Sequence, residues 1–304
     1  MWKAVFSGVI VLVTLGLSLV SGEVSKRGSE PRQVLALAQT AEPVVSPAQA
    51  ARGGASESPK ATQGEAGAPV ALVIGNATYP DAGLPLAQPV NNARLLAAAL
   101  RDLGFDVEFG EDLTRQAMEH AFEVFKSKIR PGSAALIFFS GFGIQAGRQS
   151  YLVPVNAQIW NEADVRRTGV SLEPLLAEIE AKGAGAKLVI IDASRRNPFE
   201  RRFRGGSAGL AALQAPDDTL VMYAAGPGKV VSDNGAEVSP LLDELIAQIR
   251  APGATAEEVF NRTRLKVSQE TNREQVPWVS SSLVQDFSFA SGEQQPADEQ
   301  HSAR

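Results

Sequence analysis

Between residues 70 and 290 the sequence alternates short apolar runs with longer segments whose apolar residues recur every three to four positions. Residues 70–74 (Val-Ala-Leu-Val-Ile), for example, are all apolar and precede Gly75 and Asn76, whereas the segment after Pro89 carries its leucines on one helical face. The first pattern is typical of a buried strand and the second of an amphipathic helix. The alternation predicts an α/β fold with a mostly parallel sheet that helices cover on both faces.

Short apolar runs predict strands at residues 70–74, 134–139, 188–191 and 220–224, and alternation of apolar and acidic residues predicts another at 105–109. Helical patterns occur at residues 114–128, 172–182 and 255–270, after Ser239-Pro240, and after Pro89 with Leu95, Leu96, Ala99, Leu100 and Leu103 on the packed face. In open α/β sheets, ligand sites form at the carboxyl ends of the strands. The residues that follow the predicted strands are therefore where we expect the chemistry.

The chain before the first strand divides into an apolar leader and a polar linker. Residues 4–20 are predominantly apolar and follow Lys3, which predicts an export signal over residues 1–22, either cleaved or kept as an anchor in the inner membrane. Residues 23–68 are rich in Ala, Gly, Ser and Pro and predict a disordered linker, and residues 291–304 predict a polar tail. The expected folded domain is thus residues 69–290, in a periplasmic or extracellular protein.

Composition excludes several classes of function. The chain has no cysteine, so it has no thiol nucleophile, disulfide or thiolate metal site. Its two histidines, His120 and His301, lie far apart in the sequence, so no zinc-type ligand cluster is expected, and neither a metal nor a cofactor is predicted. The net charge of −5 disfavours a nucleic-acid partner, because nucleic-acid-binding domains usually carry a basic field.

Three strand ends carry distinctive residues. They read Val-Ile-Gly-Asn at 73–76, Phe-Phe-Ser-Gly-Phe-Gly at 138–143 and Val-Ile-Ile-Asp-Ala-Ser-Arg-Arg-Asn-Pro-Phe at 189–199. Together with segments at 88–93, 151–155, 239–240 and 275–287, this ordered set resembles the caspase-like peptidases, particularly the bacterial metacaspase and orthocaspase type. The resemblance covers nearly the whole folded region and implies a three-layer α/β/α domain with a mostly parallel central sheet.

The resemblance also implies where a catalytic dyad would lie. Family members carry a His general base at the glycine-flanked strand end and a Cys nucleophile after Asp-Ala, and these positions are Phe142 and Ser194 here. Phenylalanine cannot transfer a proton, and a serine hydroxyl without a positioned base is a poor nucleophile. His120 lies inside a predicted helix and His301 in the tail, so neither supplies the base. No intact catalytic residue is therefore expected.

A pocket for a basic substrate residue is the third implication of the resemblance. Metacaspase-like members form it with acidic side chains, of which Asp192 is retained, while Asn92 stands where the other acid is expected. An amide in place of a carboxylate removes a charge-assisted contact usually worth about 1.5–3 kcal/mol. Asp192 and Asn92 are thus the predicted substrate-binding residues, in a weakened pocket.

The loop after Ser194 is rich in arginine, with Arg195, Arg196, Arg201, Arg202 and Arg204. One interpretation is a solvated basic loop, and another is a binding site for an anionic group or an acidic partner. A cleavage point for a trypsin-like enzyme is a third, because a loop after the nucleophile is commonly the processing site in active relatives.

The leading hypothesis is an inactive pseudopeptidase that binds a peptide or protein partner, possibly a basic one, in a caspase-like cleft. One alternative is a weak endopeptidase that cleaves after basic residues with Ser194 as nucleophile. The other is an envelope scaffold that does not use the cleft.

Overall fold

A computed structural model describes residues 67–83, 85–203, 209–232 and 235–290. The predicted leader, almost all of the predicted linker, and the predicted tail lie outside these residues. No helix within the described residues is long and apolar enough to cross a membrane.

A sheet of six strands forms the centre of the described domain: β1 (Val70–Gly75), β2 (Asp106–Glu111), β3 (Ala135–Ser140), β6 (Lys187–Asp192), β7 (Thr219–Tyr223) and β8 (Trp278–Ser281). Their order across the sheet is β2-β1-β3-β6-β7-β8. All neighbours pair in parallel except β8, which runs antiparallel to β7 at the edge of the sheet. The predicted mostly parallel sheet is confirmed, and β1, β3, β6 and β7 are buried along their whole length, as expected for strands covered on both faces.

Helices pack against both faces of this sheet. They are α1 (Pro89–Asp102), α2 (Arg115–Lys128), α4 (Glu173–Ala181), α5 (Pro240–Ile249) and α6 (Ala256–Glu270), whereas the short α3 (Glu162–Thr168) packs beyond the strand ends. Alternate residues of β3 show the two faces, because Leu136 and Phe138 share a core with α1, α5 and α6, whereas Ile137 and Phe139 share another with α2 and α4. The predicted three-layer α/β/α arrangement is therefore confirmed.

Local sequence signals explain where several helices begin. Thr114 and Ser239 each accept a hydrogen bond from a backbone N–H of the first turn, and Pro240 occupies the first position of α5. Thr255 and Glu258 form a reciprocal capping box at the start of α6. The predicted packed face of α1 was wrong at Leu95, which is 45% exposed, because only the stripe through Leu96 and Leu100 faces the sheet.

Asp112 stabilises the turn after β2. Its carboxylate accepts the backbone N–H groups of Ala77 at 2.7 Å and Thr78 at 2.9 Å, which joins the end of β2 to the loop after β1. Burial raises the pKa of Asp112, but the hydrogen bonds from Thr78 and Ala77 outweigh burial and hold that pKa below its ordinary value. The carboxylate is thus ionised wherever the domain is folded near neutral pH.

The sequence did not predict two elements beside the strand ends. An antiparallel hairpin follows β3 and consists of β4 (Gly143–Ala146) and β5 (Gln149–Leu152), and the short helix α3 comes soon after it. Together with Tyr79, Phe142 and Phe199, these elements form a third apolar cluster. This cluster lies at the strand ends, where the site residues are expected.

Candidate functional site

The register of the sheet brings the two dyad positions to neighbouring strand ends. Ser140, the last residue of β3, pairs directly with Asp192, the last residue of β6, and Phe142 and Ser194 each follow two residues later. The chain segments stay close beyond the sheet, because a Cβ added to Gly143 would lie 3.1 Å from the carbonyl oxygen of Ala193. Phe142 and Ser194 thus extend from adjacent, central strands, as the sequence resemblance implied.

Phe142 is a packed, structural side chain. It is buried in the third apolar cluster, with its ring centroid 4.9 Å from that of Tyr79. The Phe142 N–H donates to the Tyr79 hydroxyl at 3.1 Å, and this hydroxyl donates to the carbonyl of Val153 at 3.1 Å. Burial raises the pKa of Tyr79 far above its ordinary value, so the hydroxyl keeps its proton for that bond.

Gly141 is required by this arrangement. A Cβ at this position would lie 2.5 Å from the Tyr79 hydroxyl oxygen and 3.1 Å from the carbonyl oxygen of Asn76, which is closer than a side chain tolerates. The glycine before the base position therefore permits the close approach of Tyr79 that fixes the Phe142 backbone.

Ser194 is buried without a polar partner for its side chain. It is 1% exposed, and its Oγ makes no hydrogen bond to any residue of the described structure. Its backbone is nevertheless fixed, because the carbonyl accepts the Val231 N–H at 2.7 Å. His120 is exposed on α2, and His301 lies outside the described residues. Within the described structure, then, no group is placed to remove the Ser194 proton.

Asp192 lies at the centre of a buried polar network. Its Oδ2 accepts hydrogen bonds from Asn92 Nδ2 and from Ser140 Oγ, both at 2.9 Å. Asn92 also connects to the start of α5, since its Nδ2 donates to Ser239 Oγ at 3.0 Å and its Oδ1 accepts the Ser239 N–H at 3.0 Å. The structure thus brings together the two predicted substrate-binding residues, and Asn92 contacts Asp192 directly.

Arg195 completes the network, and sequence reasoning had assigned it to a basic loop. The interpretation of a solvated side chain was wrong here, because Arg195 is only 7% exposed. Its Nη2 lies 3.5 Å from Asp192 Oδ2, and its Nη1 donates to the carbonyl of Gly141 at 3.0 Å and to that of Asp192. The guanidinium is buried because a carboxylate and two carbonyls satisfy it.

The match to known families identifies the fold. Residues 68–288, which include all six strands of the sheet, match the family model described as the caspase domain. The chain belongs to the caspase-domain family. A comparison with curated proteins found no match. The resemblance noted in the sequence is therefore confirmed at the level of the family.

A small cavity of about 170 Å³ lies beside the network of this caspase domain. It is lined by Gln88, Asp192, Arg195, Val230, Val231, Ser232, Ser239, Pro240, Thr271, Glu274 and Gln275. Asp192 lines this cavity, and its carboxylate is already paired with the guanidinium of Arg195. A ligand that enters the cavity therefore meets an internal ion pair at Asp192, and the exposed Glu274 is the other acid of the lining.

The other arginines of the loop after Ser194 differ in their exposure and ion pairing. Arg196 and Arg201 are exposed, as the solvated interpretation predicted, whereas Arg202 is partly buried and ion-paired with Asp81. Arg204 lies outside the described residues. Across the described segments, no group of three His, Asp or Glu side chains is placed to hold a metal ion.

Proposed function

We propose that this caspase domain is a pseudopeptidase, which binds a peptide segment in its cleft without cleaving it. The observation that carries the proposal is the isolated hydroxyl of Ser194, which has no hydrogen-bond partner in the described structure. Amide hydrolysis by a serine needs a base that takes the hydroxyl proton and later returns it to the leaving amine. Phe142 stands where the family resemblance places that base, and its ring can do neither.

The intact surroundings of the site support a retained binding role. Ser140, Asp192 and Asn92 form a hydrogen-bonded network at the strand ends, and a cavity opens beside it. Burying polar side chains lowers stability unless each of them has a hydrogen-bond partner. A domain that no longer used this region could therefore carry apolar residues in place of this network. We therefore infer that the cleft still binds a peptide although it no longer hydrolyses an amide bond.

The location of the domain is part of this proposal. The apolar run of residues 4–20 supports export, with the domain outside the cytoplasm and either released or held at the inner membrane. Fractionation of cells that produce the full chain tests it, since a cytoplasmic domain with an unprocessed leader would contradict export.

A fluorogenic peptide library, varied at the residue before the reporter, tests the loss of cleavage. We expect the native protein to give no turnover above that of Ser194→Ala, its matched control. The double variant Phe142→His with Ser194→Cys restores both groups of a thiol–imidazole pair, and turnover by this variant would show a cleft that still positions a peptide. Native turnover that Ser194→Ala abolishes would overturn the proposal in favour of a weak serine endopeptidase.

Binding is measured separately, because a scaffold that ignores the cleft would also fail to cleave. The same peptides, labelled with a dye and without a reactive reporter, are titrated with the native protein by fluorescence anisotropy. Binding that Asp192→Asn alters would support use of the cleft. Binding that is insensitive both to this change and to Arg196→Gln with Arg201→Gln, at the exposed part of the arginine loop, would favour the scaffold hypothesis.

A further inference from the structure

A second and larger cavity lies on the Phe142 side of the cleft. Its volume is about 730 Å³, and its lining includes the apolar Phe142, Pro198 and Phe199 and the charged Asp81, Arg196, Arg201 and Arg202. Ligand sites in proteins usually occupy about 300–1,000 Å³. The cavity is therefore large enough for several residues of a peptide.

The charge of this lining is unequal, with three arginines against a single aspartate. Arg202 pairs with that aspartate, Asp81, and is further fixed by a bond from its Nε to the carbonyl of Ile159 at 2.8 Å. Its guanidinium also lies over the ring of Trp160, 4.4 Å from the centroid. Arg202 is thus part of the wall, and its charge is balanced.

Arg196 and Arg201 carry the charge that is left. Arg196 has a side chain that is 83% exposed, and its nearest acid is Glu200, with Nε and Oε2 3.9 Å apart. Arg201 is exposed and makes no ion pair within the described residues. An exposed pair at 3.9 Å contributes little, so both guanidiniums remain available to a ligand.

The adjacent cavity of about 170 Å³ carries two acids, Asp192 and Glu274, against one arginine, Arg195. Asp192, the acid that the family resemblance assigns to a basic ligand residue, already holds the guanidinium of Arg195 within the chain. A basic ligand would therefore compete with an internal arginine at Asp192, find only the exposed Glu274 as a further acid there, and face the exposed Arg196 and Arg201 on the other side.

We propose that the cavity beside Phe142 binds an acidic peptide segment, whose carboxylates pair with Arg196 and Arg201. This inference rests on the proposed binding role of the cleft and names the class of its ligand. The apolar part of the lining, Phe142, Pro198 and Phe199, suits apolar side chains placed between the acids. A volume of about 730 Å³ also exceeds the needs of a single phosphate or carboxylate ion, and this favours a peptide over a small anion.

Fluorescence anisotropy with three labelled peptides of one length tests the inference on the full chain. The first alternates Glu or Asp with apolar residues, the second has Gln or Asn at the acidic positions, and the third has Lys there. We expect the native protein to bind the acidic peptide most tightly, with an affinity that falls as salt is raised.

The double variant Arg196→Gln with Arg201→Gln should weaken acidic-peptide binding by about tenfold, as two exposed ion pairs are lost. Its matched control is Arg250→Gln with Arg262→Gln, which removes the same charge from exposed positions at the C-cap of α5 and on α6 and should bind as the native protein does. Thermal unfolding of both double variants verifies that they fold.

Two results would overturn the inference. One is equal affinity for the acidic and amide peptides, or for the native protein and the Arg196/Arg201 variant; in that case the pseudopeptidase proposal survives, because peptides still bind without cleavage. The other is full displacement of the peptide by inorganic phosphate at matched charge concentration, which would reassign the cavity to small anions. Cleavage of the peptides by the native protein would instead defeat the proposed function itself.

Discussion

Two buried serines at adjacent strand ends should respond in opposite ways to the loss of their hydroxyl groups. Ser140 is 0% exposed and donates to Asp192 Oδ2 at 2.9 Å, whereas Ser194 is 1% exposed and its Oγ has no partner in the described structure. The substitutions Ser140→Ala and Ser194→Ala remove the same atom from equivalent depth. Their comparison isolates the hydrogen bond.

The expected change in the free energy of unfolding depends on whether the hydroxyl that is removed makes a hydrogen bond. A hydrogen bond to a charged group stabilises by about 1.5–3 kcal/mol, so Ser140→Ala should lower the free energy of unfolding by that amount. An unsatisfied buried hydroxyl costs about 1–3 kcal/mol in desolvation, which the folded protein recovers when the group is removed. After allowance for lost packing, Ser194→Ala should raise the free energy of unfolding by about 1 kcal/mol.

Urea denaturation followed by tryptophan fluorescence measures both changes, since Trp160 and Trp278 lie within the described domain. Equal slopes in the two variants would show that the difference in midpoint reflects stability alone. If Ser194→Ala loses as much stability as Ser140→Ala, the Ser194 hydroxyl has a hydrogen-bond partner. The reasoning that it has no proton acceptor would then fail, and with it the main support for an inactive site.

Three further changes test other parts of the fold. Asp112→Asn should lower the free energy of unfolding near neutral pH, because the lowered pKa of Asp112 stabilises the folded state when the carboxylate is ionised. The stabilities of the native protein and the variant should converge as pH falls through and below the ordinary carboxyl pKa of about 4. A difference in urea midpoint that stays constant with pH would refute this. Thr255→Ala breaks the capping box of α6 and should cost about 1 kcal/mol in the same assay, while an unchanged midpoint would deny the cap a role. Arg195→Met leaves Asp192 without its cation and should cost about 3 kcal/mol in the same assay, and a variant as stable as the native protein would contradict the buried pair.

The sequence predicted five of the six strands of the sheet and most helices because their signals are local, whereas the edge strand β8 was not predicted. The strands β1, β3 and β6 are continuous apolar runs, and Thr114, Ser239 and Thr255 are the caps that a helix start favours. The sequence resemblance assigned Phe142 and Ser194 to two strand ends, and the β3–β6 register shows that these ends are neighbours.

The elements that were missed have weak local signals. β4 and β5 have four residues each, too few for a clear alternation, and their turn at Gly147 carries little beyond one glycine with a positive φ of 64°. The helix α3 has seven residues, and its only strong signal is the cap at Asn161, which accepts the Asp164 N–H. Such short elements depend on tertiary packing in the third apolar cluster.

The burial of Arg195 could not be predicted from its own segment. An arginine in a run of charged and small residues is usually solvated, and the sequence gives no sign that carbonyls of Gly141 and Asp192 converge on it. The useful signal was the spacing, since Arg195 follows Asp192 by three residues at the same strand end. This spacing predicts an ion pair only once the path of the chain after β6 is known.

The ion pair between Arg195 and Asp192 also sets a concentration scale for any competitor. Because the two residues are separated by only two others in the chain, the guanidinium stays at the carboxylate at an effective concentration of about millimolar or higher. A basic side chain supplied by a partner at micromolar level would thus be outcompeted by about a thousandfold at this carboxylate. Only a partner tethered nearby, on the same surface or in the same assembly, could displace the arginine that the chain supplies for itself.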